Sequence, residues 1–581
     1  MPVSSTQRAS CSRALSDPEY LGLLSSFVSS LNLPKLKLNR LAGALRAQQL
    51  VPAIRAADEL VSTEYDTPEL HFQAHQIANL IRKYPFNAPE LDPEGRALKA
   101  YLAGEHKCKR MNSKMRARRI PRLGRQRPYA HASIFLKAKE YVAKVLGPFN
   151  LEGVLERCDF SDGACLGVHG NATNIARKFL AGRWTVTRSA LPYAVMALWK
   201  HSSARHIVLP GHVKCYDLEL FRAIVEEKSS IVDNNKLSFV DKNAWIKRIM
   251  HVEPLLNNFL QKGADKFLRG RLARAGIHLH DQQRNALMAL MGSQNWQCRD
   301  PYVTIDLSNA SGSIASELVR SLCPTDWVEY FDALRCSFYE YNGEKKELHS
   351  YVTMGNGFCF PLESLIFAAF AHACGCTAGD FAVYGDDIIV RQERALLLIE
   401  VLRYFGFKTN TEKTFICGPF RESCGSDYHS GTDVRPYVAN KRLDSLSAFM
   451  SAHNGTLRSP ITTSFLEGFR TALRARIRPE HQLLGLYQPG CDTHFCVELD
   501  EAVSCPTFKW NRNIQAWNWK ALLPTAKPDH KAIPLADAPK RGDVDMYAIL
   551  RGAKSHSAPD KSKSLYTLRY TVQRVPRWVS E

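Results

Sequence analysis

Apolar residues recur at helical spacing through the first hundred positions, in Leu21-Leu23-Leu24-Phe27-Val28-Leu31 and again in Leu41-Leu45-Leu50-Ile54. Pro52 predicts a break near the end of the second run. Between about 300 and 430 the period changes. Tyr302-Val-Thr-Ile-Asp306-Leu is a β-branched run that closes on a carboxylate. A small-residue turn, Ser308 to Ser313, follows it, and Ile314 to Leu322 reads as a helix. Met354-Gly-Asn-Gly357 is a tight loop leading into an apolar helix from Phe358. Phe381 to Tyr384 and Ile388 to Val390 are strand-like runs separated by Gly385-Asp386-Asp387, which reads as a hairpin. Glu393 to Phe405 is an amphipathic helix stopped by Gly406. This order predicts an α+β fold, a compact sheet with helices on one face.

Ser364 to Gly379 is the longest weakly polar stretch, but it is shorter than the ~20 apolar residues of a membrane span and contains His372. A buried helix is the expectation there. The N-terminus lacks the apolar core of a signal peptide, and no membrane-spanning segment is expected. A chain of 581 residues suggests about three or four domains, and a hydrophobic fraction of 45% excludes disorder over most of it.

Charge changes the picture. There are 77 Lys and Arg against 57 Asp and Glu, a net +20 that points to a polyanionic partner, either nucleic acid or an anionic membrane face. Ten basic residues and no acidic one lie between Lys107 and Arg127, which reads as a phosphate-neutralising surface or a solvated loop. Lys266 to Arg274 is a second basic element, at helical spacing. The basic last thirty residues add Tyr566, Tyr570 and Trp578, suited to stacking on single-stranded bases. Sixteen cysteines without a repeating spacing read as reduced, buried residues, and Cys491, His494, Cys496 and Cys505 fit no standard zinc signature.

Adjacent carboxylates at a hairpin tip repel and raise each other's pKa unless a cation compensates. Hard oxygens suit Mg²⁺ or Mn²⁺. If the strand ending in Asp306 lies beside the hairpin, then Asp306, Asp386 and Asp387 converge. Three carboxylates suffice for two ions about 4 Å apart, clamping the attacking and leaving oxygens of a phosphoryl transfer.

Six segments, in order over about 200 residues, resemble the RNA-directed RNA polymerases of the levivirus, Qβ-type RNA bacteriophages, the catalytic subunits of their replicases. They are D-K-N-A-W-I-K-R-I-M-H-V-E-P from Asp241, T-I-D-L-S-N-A-S-G-S-I from Thr304, M-G-N-G-F-C-F-P-L-E-S-L-I-F from Met354, Y-G-D-D-I-I-V from Tyr384, G-F-K-T-N-T-E-K-T-F from Gly406 and G-P-F-R-E-S-C-G from Gly418. The resemblance implies a right-hand polymerase, with an N-terminal helical region at 1–110 and fingers at 111–294 that include a basic segment at 241–254. A palm at 295–440 and a thumb or C-terminal region at 441–581 complete it.

The same resemblance implies roles. Asp306, Asp386 and Asp387 are matched to the catalytic metal ligands, with two Mg²⁺ (or Mn²⁺) ions per site. Lys413 is matched to a general acid toward pyrophosphate. Lys242, Lys247 and Arg248 would meet the incoming triphosphate. Ser308, Asn309, Gly355, Asn356 and Gly357 would approach nucleotide and template, while Arg421, Glu422 and Cys424 would be mainly architectural. Related polymerases carry an acidic residue where this chain has Gly312, so ribose sensing would fall to Ser308, Asn309, Ser311 or Asn356. The implied partners are single-stranded RNA template and product, nucleoside triphosphates, the host elongation factors Tu and Ts and a ribosomal RNA-binding protein, all in the host bacterial cytoplasm. A reverse transcriptase and a non-enzymatic basic RNA-packaging protein are the rival readings.

Overall fold

The computed structural model describes residues 14–119, 131–161, 163–168, 178–209, 217–459, 461, 463–487, 492–528 and 566–577. The fold is mixed helix and sheet. At its centre lies a three-stranded antiparallel sheet with Asp387–Arg391 in the middle, Tyr302–Ile305 on one side and Ala382–Tyr384 on the other.

Alternation along these strands assigns two apolar faces. Val303, Ile305, Val383, Ile388 and Val390 join the main core, which also contains Leu362, Leu365 and Ile366 of the helix Cys359–Ala373 and Leu398, Val401 and Leu402 of the helix Gln392–Tyr404. Tyr302, Ala382 and Ile389 point the other way, onto Met288 and Ala289 of the helix Gln283–Gln294. The pattern had placed helices on one face only; both faces are covered. A sheet buried on two sides reads as a near-continuous apolar run, which hides the second layer from the sequence. Gly292 makes the close approach possible, since a Cβ there would stand 2.3 Å from the Tyr302 carbonyl oxygen.

The expected buried helix is Cys359–Ala373, almost entirely inaccessible. No helix among the described residues is long and apolar enough to cross a membrane. Near the N-terminus the break falls earlier than predicted, between helices Lys35–Arg46 and Leu50–Val61, where Gln48 takes a φ of 54°. Pro52 lies in the first turn of the second helix, where a missing N–H costs nothing.

The expected division at residue 110 falls inside one continuous helix, Pro93–Arg119. This helix docks on the central body. Asn112 Nδ2 donates to the His349 carbonyl at 2.9 Å, Arg116 pairs with Glu317 at 3.1 Å, and Glu105 accepts from the His349 backbone N–H. Lys107, Lys109 and Arg110 remain exposed, and residues 120–127 of the basic run lie outside the described residues. The earlier helices share a second core with the C-terminal part, Leu24, Leu45 and Ile77 clustering with Leu446, Phe449 and Phe469. The Leu15 N–H donates to the Leu443 carbonyl at 3.0 Å, and Asp17 pairs with Arg442 at 2.8 Å.

The basic segment 241–247 is anchored on this N-terminal layer. Ala244 donates its N–H to the Arg82 carbonyl at 2.8 Å, and Trp245 Nε1 donates to Asp58 at 3.2 Å. The segment leads into the strand Arg248–Pro254 of a five-stranded sheet that also holds Asn234–Val240 and Phe338–Tyr341. At the other end of the chain, Tyr566 and Tyr570 fall in the strand Tyr566–Arg577, paired with Ala516–Pro528; Trp578 and Cys491 are outside the described residues.

Candidate active site

Register brings the aspartates together. Ile305 pairs with Ile388 and Tyr384 with Asp387, so Asp306 and Asp387 leave adjacent strands side by side at one sheet edge. Antiparallel partners have Cα atoms about 4.5–5.5 Å apart. Asp386 occupies the turn between the strands. Gly385, the other turn residue, has a φ of +63°, and a Cβ on it would stand 2.4 Å from the Phe360 ring. Its N–H donates to Ser364 Oγ at 2.9 Å, which ties the turn to the buried helix.

Asp306 is fixed by the segment after Gly406. Asn410 Nδ2 donates to Asp306 Oδ2 at 2.7 Å, the Asn410 N–H donates to the Asp306 carbonyl at 2.9 Å, and the Asp306 N–H donates to Thr414 Oγ1 at 3.2 Å. Burial raises the Asp306 carboxyl above its ordinary value, with Asp386 adding to the effect and Asn410 opposing it. Asp387 is pushed up to about 7 by burial first, then by Asp386, Glu422 and Asp306; a hydrogen bond from the Cys424 backbone works the other way. Beneath them, Glu363 is buried and held well above the carboxylate range. The charges repel across this edge as an uncompensated cluster does.

Cations ring it. Lys413 Nζ donates to Glu422 Oε1 at 2.7 Å. Desolvation works against the Lys413 charge, but Glu422, Asp306 and Asp427 outweigh it and raise the lysine above its ordinary value. Lys242 is lowered by desolvation and by Arg248 and Lys413, while Asp306 and Asp386 pull the other way. Lys83, from the N-terminal layer, is lowered by desolvation and then by Lys413. Lys247 is committed elsewhere. It pairs with Glu94 at 2.8 Å and donates its backbone N–H to Pro93, clamping the start of the helix Pro93–Arg119.

The 355–357 loop is shaped by protein contacts. Gly355 has a φ of +127°, and a Cβ there would meet the His251 carbonyl oxygen at 2.0 Å. One on Gly357 would stand 2.9 Å from Gln261 Cβ, and the Gly357 N–H donates to Gln261 Oε1 at 2.9 Å. Buried Asn356 uses Oδ1 to accept from the Phe358 N–H at 3.1 Å. The close approach that requires these glycines is therefore to the strand Arg248–Pro254 and the helix Leu255–Arg274.

Gly312 has a partner in Asn309. A Cβ on Gly312 would stand 2.6 Å from Asn309 Oδ1, and one on Gly104 would stand 2.6 Å from Asn309 Nδ2. Exposed Asn309, at a φ of 55°, lays its carboxamide over both glycines. Ser308 donates its N–H to the Lys408 carbonyl at 2.8 Å, and Ser311 is buried against Cys359.

Three contributors were not read from the sequence as parts of the site: Asn410, Glu422 as partner of Lys413, and Lys83. Arg421 is architectural as expected. It is fully buried and donates Nε to the Tyr302 carbonyl at 2.8 Å. As the side chains lie, no three His, Cys, Asp or Glu among the described residues are grouped so as to hold a metal ion. An open cluster of carboxylates at one edge is nonetheless the donor chemistry that a hard divalent ion takes.

The model of the RNA replicase β-chain family matches residues 28–460, most of the chain and all of this site. The chain belongs to that family. It is 39% identical over 302 residues to the RNA-directed RNA polymerase β-chain of Escherichia phage MS2, covering 51% of each protein. With the corresponding subunit of Escherichia virus Qbeta it is 33% identical over 388 residues, covering 66% of this chain and 61% of that one. The chain thus spans about half the length of the MS2 relative. Likeness to solved structures is looser: the crystal structure of the RNA-dependent RNA polymerase of a human picobirnavirus matches at 14% identity and a TM-score of 0.34, over 52% of this chain and 72% of that one.

Proposed function

We propose that this replicase β-chain is an RNA-directed RNA polymerase that copies a positive-strand phage genome in the host bacterial cytoplasm. The 3′-hydroxyl oxygen of the growing RNA attacks the α-phosphorus of a templated nucleoside triphosphate. The new O–P bond replaces the bond to the β-phosphate oxygen, the hydroxyl proton is lost and pyrophosphate leaves. The register that sets Asp306 beside Asp387, with Asp386 at the turn, carries this reading.

Asp306, Asp386 and Asp387 would hold two Mg²⁺ ions, or Mn²⁺ in their place. Such ions, when bound, neutralise charge on the attacking and leaving oxygens. Asn410 orients Asp306 and Cys424 braces Asp387. Lys413, kept protonated by Glu422, stands ready to donate a proton to the departing pyrophosphate. Lys242 and Arg248 face the triphosphate, and Lys247 positions their segment. Asn309 lies over Gly312 and is exposed three residues beyond Asp306, which favours it over Ser311 and Asn356 as the sensor of the ribose 2′-hydroxyl. In this reading the central sheet is the palm, 111–294 the fingers and 441–581 the thumb region. The implied host subunits are the elongation factors Tu and Ts and a ribosomal RNA-binding protein.

The test is purified protein with a short RNA, four ribonucleotides and Mg²⁺, with and without host extract. Wild type should extend RNA, whereas Asp386→Asn and Asp306→Ala should not, while both bind RNA nearly as well as wild type. Appreciable synthesis by either variant would overturn the assignment.

A further inference from the structure

The basic element Lys266 to Arg274 does not simply face water. Within it, Lys266 pairs with Asp159 at 2.7 Å and Arg269 with Asp265 at 2.6 Å. Arg271 and Arg274 instead reach a cavity of about 870 Å³ between the helices Ala132–Leu146, Leu255–Arg274 and Gln283–Gln294 and the end of Cys359–Ala373. The cavity reaches the strand Ala382–Tyr384 from the end opposite the Gly385-Asp386 turn.

Its walls carry five cations, Lys137, Lys144, Arg271, Arg274 and Arg284, against two carboxylates, Glu140 and Asp281. None of the five has a salt bridge to a described carboxylate, although seventeen other lysines and arginines among the described residues pair at 3.1 Å or less; Lys200 with Glu152 and Arg320 with Glu317 are examples. Arg284 uses its donors on the carbonyls of Gly276, Ala378 and Phe381, which leaves its charge unneutralised. Arg271 Nε is buried without a hydrogen-bond partner, and the guanidinium is disfavoured by burial and by neighbouring Arg274. Such a concentration of like charge at one cavity attracts an anion.

The second observation concerns shape. Tyr141 and the exposed His372 stand with ring centroids 4.6 Å apart at the same wall. Aromatic faces beside cations suit a base and its phosphate, and the volume lies in the range of small-ligand sites.

We propose that this cavity is a second nucleotide-phosphate site, separate from the catalytic edge, in which Lys144, Arg271 and Arg274 hold phosphate oxygens and the Tyr141–His372 pair stacks on the base. The ligand is either a free nucleoside triphosphate or a nucleotide within an RNA strand, which present the same groups. This site stands independently of the polymerase reading.

Photo-crosslinking of the full-length chain tests it, with an azido-adenosine triphosphate and with a thiouridine-bearing RNA of about ten nucleotides as separate probes. Label should map to the segments containing Tyr141 or His372. It should fall by about tenfold or more in both Lys144→Gln/Arg274→Gln and Lys144→Glu/Arg274→Glu, and persist in Asp386→Asn. Labelling by the triphosphate identifies free nucleotide as the ligand; labelling by the RNA alone identifies the strand. Label absent from both segments with either probe, or unchanged in the glutamine variant, overturns the proposal. A well-folded glutamine variant, verified by unaltered thermal unfolding, separates loss of the site from loss of the fold.

Discussion

Asn410 Nδ2 donates a 2.7 Å hydrogen bond to Asp306 Oδ2, joining residues 104 positions apart in the chain. A carboxylate that is to hold an ion must present one oxygen while the other is restrained, and neighbours of this kind typically contribute ten- to a hundredfold to metal affinity or activity. Asn410→Ala is therefore expected to lower nucleotide addition by about ten- to a hundredfold, with partial recovery at raised Mg²⁺. A Mg²⁺ titration of the rate checks it; an unchanged Mg²⁺ requirement would remove Asn410 from the site.

Gly312 and Asn309 form a matched pair. The φ of Gly312 is not in the left-handed region, so the backbone itself admits a side chain there and the obstacle is the Asn309 carboxamide. Gly312→Asp alone should destabilise the chain by about 1–3 kcal/mol through overpacking, and Asn309→Ala added to it should restore much of that loss. Thermal or denaturant unfolding of the two variants measures the difference. In single-nucleotide assays, Asn309→Ala alone should lower the preference for ribo- over deoxyribonucleotides by about tenfold, the worth of one hydrogen bond to a 2′-hydroxyl.

Acid should weaken the fold through histidines buried neutral. His71 packs against His75, Phe420 and His429 between the N-terminal layer and the strand Phe420–Ser423, and burial lowers it to about 2. Burial likewise lowers His251 to about 3 and His453 to about 4. The unfolded chain takes up these protons at about 6.5, so below that pH it binds more protons than the folded state. Stability is complete above about 6.5 and falls by about 1.4 kcal/mol per pH unit for each such histidine as the pH drops toward the folded values. His71→Leu should remove about one proton from the slope of stability against pH between about 6 and about 5, read from unfolding curves at several pH values.

Binding to unrelated RNA should weaken by about tenfold or more between low and physiological salt, because contacts to phosphate release counterions. Exposed Lys107, Lys109 and Arg110 on the helix Pro93–Arg119 are the described residues of the main basic run expected to contribute. Replacing all three with glutamine should flatten the salt dependence in filter-binding or fluorescence titrations. An unaltered slope would place that helix face away from RNA.

The three aspartates, the glycine turn and the two strands around it were legible in the linear order, because a strand's period and a turn's need for Gly385 are local properties. So was the buried helix Cys359–Ala373, whose composition alone excludes water. Tertiary structure decided the rest. Asn410 meets Asp306, and Lys83 approaches Lys413, only because segments distant in the chain fold onto one edge. Gly355 and Gly357 look like residues freed for a ligand, yet their space is taken by His251 and Gln261. Arg269 and Arg271 stand two apart on one helix, and the fold gives the first a carboxylate and turns the second into a cationic cavity. Local sequence encodes period and backbone preference; which charge meets which is set by contacts between residues far apart in the chain, and those exist only once the layers have packed.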